Sequence, residues 1–115
     1  MKIYRGVRRG DACDVTVDGA PLRPADGFPG DAAGGFEWGY DGAGPSRLAY
    51  ALVADHFGDV ARALTHHRTM LASFVTQIET DSWSLDTHRI DDILANPTVE
   101  VPLTLAELLK KARSS

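Results

Sequence analysis

Apolar and polar residues alternate with period two near the start of the chain, and from about residue 45 onward they recur at helical spacing. Over residues 2–22, Ile3 and Val7 share one face of an alternating stretch, and Cys13, Val15 and Val17 share another. This predicts two short antiparallel strands joined by a turn at Arg9-Gly10-Asp11. Asp18-Gly19 predicts a second hairpin, because both central positions of a tight type I′ turn need positive φ. A brief third strand follows over residues 20–22.

Residues 23–35 are rich in turn formers, with Phe28 as the bulky apolar anchor, and read as a loop. Phe36, Trp38 and Tyr40 alternate with Glu37 and Gly39, which predicts a short strand with three rings on one core face. Pro45 suits the first position of a helix over residues 46–57, ended by Gly58. Asp59 is placed to cap the next helix, the longest element, where Val60, Leu64, His67, Leu71, Phe74, Val75 and Ile78 recur at three- and four-residue spacings. Trp83 reads as part of a turn. Asp86 is placed to cap a shorter helix through Ile90, Ile93 and Leu94, stopped by Asn96-Pro97.

Over residues 97–115 a capping box at Thr104 and Glu107 opens an amphipathic extension with Leu105, Leu108 and Leu109 on one side. Lys110, Lys111 and Arg113 complement the dipole at its end. Strands first and helices later is the order of an α+β domain. The expected fold is a short antiparallel sheet of three to four strands with three to four helices packed on one face.

Composition narrows this picture. A chain of 115 residues is expected to form a single domain over residues 1–115, burying roughly two-thirds of its unfolded surface. A hydrophobic content of 43% with 24% charged residues is that of a chain with a core. The net charge of −4 favours basic partners over phosphate-rich ones, so a nucleic-acid partner is not expected. The lone Cys13 excludes an intramolecular disulfide and a cysteine-rich zinc site. No run of about 18 apolar residues occurs, and the start MKIYRGVRRG lacks the apolar run of a signal peptide. The expectation is a cytoplasmic protein without a membrane partner.

Candidate chemistry centres on the turn between the aromatic stretch and the first helix. A glycine-rich turn feeding a helix offers backbone N–H groups and the positive end of a dipole to an anion. Gly42, Ala43, Gly44 and Ser46, with Arg47 nearby, form such a candidate anion notch. The GxxGxG spacing matches neither the dinucleotide fingerprint nor the phosphate loop, and the same glycines also serve a plain reversal. Both readings stay open.

His66 and His67 are adjacent on a helix and do not chelate as an i, i+4 pair would, and no HExxH occurs, so no metal site is expected. No GxSxG occurs, and Cys13 carries no feature that activates a thiol, so no catalytic residue and no cofactor are assigned. Asp26 and Asp31 in the loop, and Arg62 and Arg68 on the long helix, are the candidate partner contacts.

The segments YRGVRR, VTVDGAPL, GFEWGYDGAGPSRLAYALVADHFGD, ALTHHRTMLASFV and WSLDTHRIDDIL resemble a family of small bacterial, archaeal and phage or plasmid proteins classed as a domain of unknown function. The resemblance covers residues 2–94. It rests on FEWGY-x-G-x-GP-x-x-LA, carried by Phe36, Glu37, Trp38, Gly39, Tyr40, Gly42, Gly44, Pro45, Leu48 and Ala49. It supplies no catalytic residues. It implies a product common on mobile elements, with a host-directed role that includes interference with a defence complex, in the manner of an anti-CRISPR protein.

The combined expectation is a non-enzymatic, protein-binding module of unknown oligomeric state. The alternatives are a phosphate- or nucleotide-ligand protein with its anion at residues 42–46, and a nucleic-acid binder using Arg5, Arg8 and Arg9 or Arg62 and Arg68.

Overall fold

A computed structural model describes residues 1–30 and 33–98. The first two strands are β1 (Ile3–Arg9) and β2 (Ala12–Val17), followed by β3 (Ala20–Pro21). The helices α1 (Ala43–Phe57) and α2 (Val60–Ser73) come next, then a short 3-10 turn (Val75–Gln77), β4 (Ser82–Asp86) and α3 (Thr87–Ala95). The strands form an antiparallel sheet in the order β3-β2-β1-β4, so the last strand lies beside the first. Among the described residues the fold is therefore α+β, with three helices packed against a four-stranded sheet. The amphipathic extension expected over residues 97–115 lies outside the described residues beyond Thr98.

The hairpin between β2 and β3 turns at Asp18 and Gly19, with φ of 49° and 85°, the pair of positive angles that a type I′ turn requires. The caps read from sequence also form. Gly58 closes α1 in the left-handed region, its N–H donating to the Ala54 carbonyl at 2.7 Å. Asp59 Oδ1 accepts from the Ala61 N–H at 2.9 Å at the start of α2, and Asp86 Oδ1 accepts from the Arg89 N–H at 2.8 Å at the start of α3.

The sheet differs from expectation in two ways. Residues 36–40 form no strand, and the fourth strand is β4, containing Trp83, where a turn was expected. The core face of β1 carries Tyr4 and Gly6, opposite to the face of Ile3 and Val7. In the ladders Tyr4 stands between Val17 and Leu85, and Gly6 between Val15 and Trp83. The Trp83 indole lies flat against Gly6: a β-carbon built there would stand 2.2 Å from Trp83 Nε1 and 2.3 Å from Cε2. The apparent gap in the hydrophobic pattern at Gly6 is thus the seat of a tryptophan from the neighbouring strand.

The helices differ as well. The first begins at Ala43, placing Pro45 third, and is one residue longer than α2. The second ends at Ser73 and continues only as the 3-10 turn. Its buried line is Ala63, His67, Met70 and Ser73, while Val60 and Leu64, expected in the core, are 45% and 44% exposed. At 100° per residue the mean direction of the buried line is rotated about 90° from that of Val60, Leu64 and Leu71. The cause is the close packing of α2 against α1, which selects the small Ala63 for the contact line and leaves the bulkier side chains at its margin.

Candidate functional site

The described parts of the stretch from residue 23 to residue 42, residues 23–30 and 33–42, lie between the sheet and the head of α1 and carry no regular secondary structure. A segment this long and irregular in a small domain must satisfy its polar groups and hold its position by side-chain contacts. Tyr50, buried on α1, donates its hydroxyl to the Asp26 carbonyl at 2.8 Å and meets the Phe28 ring edge-on at 5.5 Å. Burial holds the Tyr50 hydroxyl above the ordinary tyrosine pKa, so it remains a donor. Arg47, also on α1, donates from Nε to the Gly35 carbonyl at 3.0 Å.

Trp38, like Tyr50, is buried. Only 1% exposed, it donates its indole N–H to the Thr80 carbonyl at 3.0 Å and meets Trp83 edge-on at 5.7 Å. The backbone N–H of Gly39 donates to the Val75 carbonyl at 2.9 Å. These bonds run to the 3-10 turn and the residues after it, and residues 36–40 pair with no strand. Of the three aromatics expected on one core face, Trp38 is buried, Phe36 half-buried and Tyr40 46% exposed.

Arg8, named from sequence only as a candidate nucleic-acid contact, closes the other end of the segment. It lies on the inner face of β1 in register with Cys13. Its guanidinium donates to the Trp38 carbonyl at 2.9 Å and to Asp81 at 3.2 Å, and stands 5.0 Å from the Trp38 ring. A groove of ≈ 400 Å³ beside it is lined by Arg8, Gly10, Asp11, Cys13 and Glu37. The available signal was parity: Arg8 shares its strand face with Tyr4 and Gly6.

The candidate anion notch has its own occupant. Helix α1 has no side-chain N-cap, and Gly42 holds that position in extended conformation. The Glu37 side chain packs on Gly44, where an added β-carbon would meet Glu37 Cβ and Cγ at 2.9 Å. The Tyr40 hydroxyl donates to the Glu37 carboxylate, and that bond is the main cause of its raised pKa. A carboxylate of the chain itself thus lies beside the positive end of the helix. An incoming anion at this turn would share it with Glu37. Ala43 is exposed, Ser46 is half-buried with its N–H on the Gly42 carbonyl at 3.0 Å, and Arg47 faces the segment as described.

The partner candidates are dispersed. Asp26 is exposed next to Gly27, whose Cα lies against Val60 and the Tyr50 hydroxyl, so the loop abuts the first turn of α2. Asp31 lies outside the described residues. Arg62 packs over the Phe57 ring at 5.3 Å, and Arg68 is exposed one turn beyond Leu64. Fold and loop therefore bring Asp26 near the α2 ridge that carries Val60, Leu64 and Arg68, and leave Arg62 on a different side.

The histidines are spread in the same way. His56 Nε2 is 2.7 Å from Asp91 Oδ1 and ties α1 to α3, while His67 Nδ1 is 3.0 Å from the Ala63 carbonyl. Among the described residues no three His, Cys, Asp or Glu side chains are grouped to hold a metal ion, and no helix is long and apolar enough to cross a membrane.

Neither the curated proteins nor the solved structures provide a match. The model of a family of unknown function (DUF6166) matches residues 4–96, nearly all of the described fold from Tyr4 in β1 to Asn96 at the end of α3, and the chain belongs to that family.

Proposed function

We propose that this domain is a non-enzymatic protein-binding module and that residues 23–42 form its recognition surface. The observation that supports this reading is the pinning of a long irregular segment by Tyr50, Arg47, Trp38 and Arg8. Three scaffold side chains, with Trp38 of the segment itself, hold a stretch whose described residues contribute no strand or helix. Segments of that kind on rigid scaffolds are where binding residues concentrate, and prior ordering removes the entropy that binding would otherwise cost. The exposed carboxylates of the segment, with the net charge of −4, favour a basic face on the partner.

The mobile-element setting and host-directed role implied by the sequence resemblance fit such a module, since interference with a host complex needs a surface and no chemistry. That support is associational and independent of the geometry. The test is to isolate the tagged protein from its native host with and without nuclease, beside the Asp26→Lys and Asp31→Lys variants. A protein recovered in near-equal amount by the wild type, resistant to nuclease and reduced at least tenfold with either folded variant, is the expected result. Equal recovery with both variants rejects the segment as the contact. Recovery lost on nuclease treatment replaces the reading with a nucleic-acid one.

A further inference from the structure

The two edges of the sheet are protected unequally. One is β3, two residues long and ending in Pro21, which has no N–H to offer a further strand. The other is β4, five residues long, whose register against β1 runs unbroken from Ser82 to Asp86. It carries no proline, no lysine and no bulge, the devices that keep an edge from pairing.

Parity shows which backbone groups of β4 are free. The Arg8 N–H donates to the Asp81 carbonyl at 2.7 Å and the Thr87 N–H to the Lys2 carbonyl at 3.2 Å, so the even-numbered residues of β1 make the bonded pairs of this antiparallel ladder. Trp83 and Leu85 therefore direct their N–H and carbonyl groups to Gly6 and Tyr4. Ser82, Ser84 and Asp86 point theirs away from β1. The Ser82 carbonyl accepts the Thr80 hydroxyl at 2.7 Å, while the Ser84 N–H and carbonyl meet no described partner. The side chains of Ser82 and Ser84 are exposed and too small to screen the edge.

We infer that two copies of the chain pair antiparallel through β4, about a twofold axis at Ser84, and join their sheets. The free groups call for an extended strand as occupant, and the order of residues in β4 makes a second copy fit. In the register that sets outward groups opposite outward groups along the whole strand, Ser84 meets its own counterpart. Ser82 then meets Asp86 of the second copy, and Trp83 meets Leu85 of the second copy. The pair of apolar side chains lies on the helix-covered face, the hydroxyl and carboxylate lie on the open face, and no like charges oppose each other. A shift by two residues in either direction leaves an outward residue unpaired at each end. The pairing uses the unprotected edge of each described sheet, so association stops at two. A five-residue edge is small beside a standard interface, and a dissociation constant in the upper micromolar range is expected. This inference stands on different observations from the protein-binding reading and does not require it.

Sedimentation equilibrium of the full chain, in a series rising to about 1 mM, tests the association. A monomer–dimer equilibrium is expected. A chain that stays monomeric throughout, or that assembles beyond a dimer, overturns the inference. Ser84→Pro tests the edge itself. The N–H it removes points away from β1, so the fold is expected to persist by circular dichroism while dimerisation weakens at least tenfold. Ser84→Lys leaves the backbone intact and opposes two ammonium groups on the axis, so it gives the same reading should the proline variant not fold. Undiminished dimerisation of either folded variant rejects β4 as the contact. Disulfide trapping in a Cys13→Ser background tests the register. Ser84→Cys places two thiols on the axis, with Cα atoms about 5.5 Å apart, and is expected to form a covalent dimer at least tenfold faster than Ser82→Cys. Equal rates at the two positions reject the twofold pairing at Ser84.

Discussion

The sheet and the segment of residues 23–42 lie side by side and are held by different means. In the sheet, position follows from the ladder: β1 sits between β2 and β4, and its register places Tyr4, Gly6 and the half-buried Arg8 on its inner face. In the segment no ladder exists, and position follows from individual donors, the Tyr50 hydroxyl on Asp26, Arg47 on Gly35, and the Trp38 indole on Thr80. A ladder spends its backbone groups on neighbouring strands. Side-chain pinning instead fixes a segment at a few points and leaves Asp26, Glu37 and Asp41 exposed, as a recognition surface requires.

The contrast yields graded expectations. Trp38→Ala removes the anchor shared by both regions and leaves a cavity beside Trp83, so a loss of about 3–5 kcal/mol is expected by chemical denaturation. Gly6→Val strikes the ladder alone. Its side chain would overlap the Trp83 indole, and a loss of about 3 kcal/mol is expected, with the whole domain unfolding in one transition. A stable Gly6→Val protein would show that Trp83 does not seat there.

Tyr4→Phe removes the 2.6 Å hydrogen bond to Asp55 that fastens β1 to α1, at a cost of about 1.5–3 kcal/mol. It also changes the alkaline limb of stability. Burial first, and then the bond to Asp55, hold the Tyr4 hydroxyl well above its ordinary pKa, so the folded state keeps a proton that the unfolded state releases above about pH 10. Stability therefore falls as pH rises past that value, and Tyr4→Phe makes the fall shallower. Tyr40 and Tyr50, also raised, preserve part of it. The smallest effect belongs to the segment. Tyr50→Phe is expected to cost about 0.5–1.5 kcal/mol overall while accelerating amide exchange around residues 24–28 and leaving β1 unchanged. Equal acceleration in both places would erase the distinction between the two regions.

Sequence legibility divides along the same line. The caps at Gly58, Asp59 and Asp86 and the Asp18-Gly19 turn were readable because each depends on a few neighbouring residues. The strand containing Trp83 was not, since its alternation spans only Trp83, Ser84 and Leu85 and its partner is β1 at the far end of the chain. The aromatic stretch around Trp38 has a strand's alternation, but its bonds go to Val75 and Thr80, which no local pattern reveals. At the candidate site the glycine turn and the start of a helix were legible to within a few residues. The Glu37 side chain on Gly44, and Arg8 gripping Trp38, depend on tertiary placement and were not.

Backbone relaxation measured on the free protein by NMR tests the central claim, that residues 24–28 and 35–39 are ordered before any partner arrives. The account predicts order parameters near 0.85 for residues 24–28 and 35–39, about the same as for rigid helical backbone. Values below about 0.6 there, with α1 rigid, would contradict it.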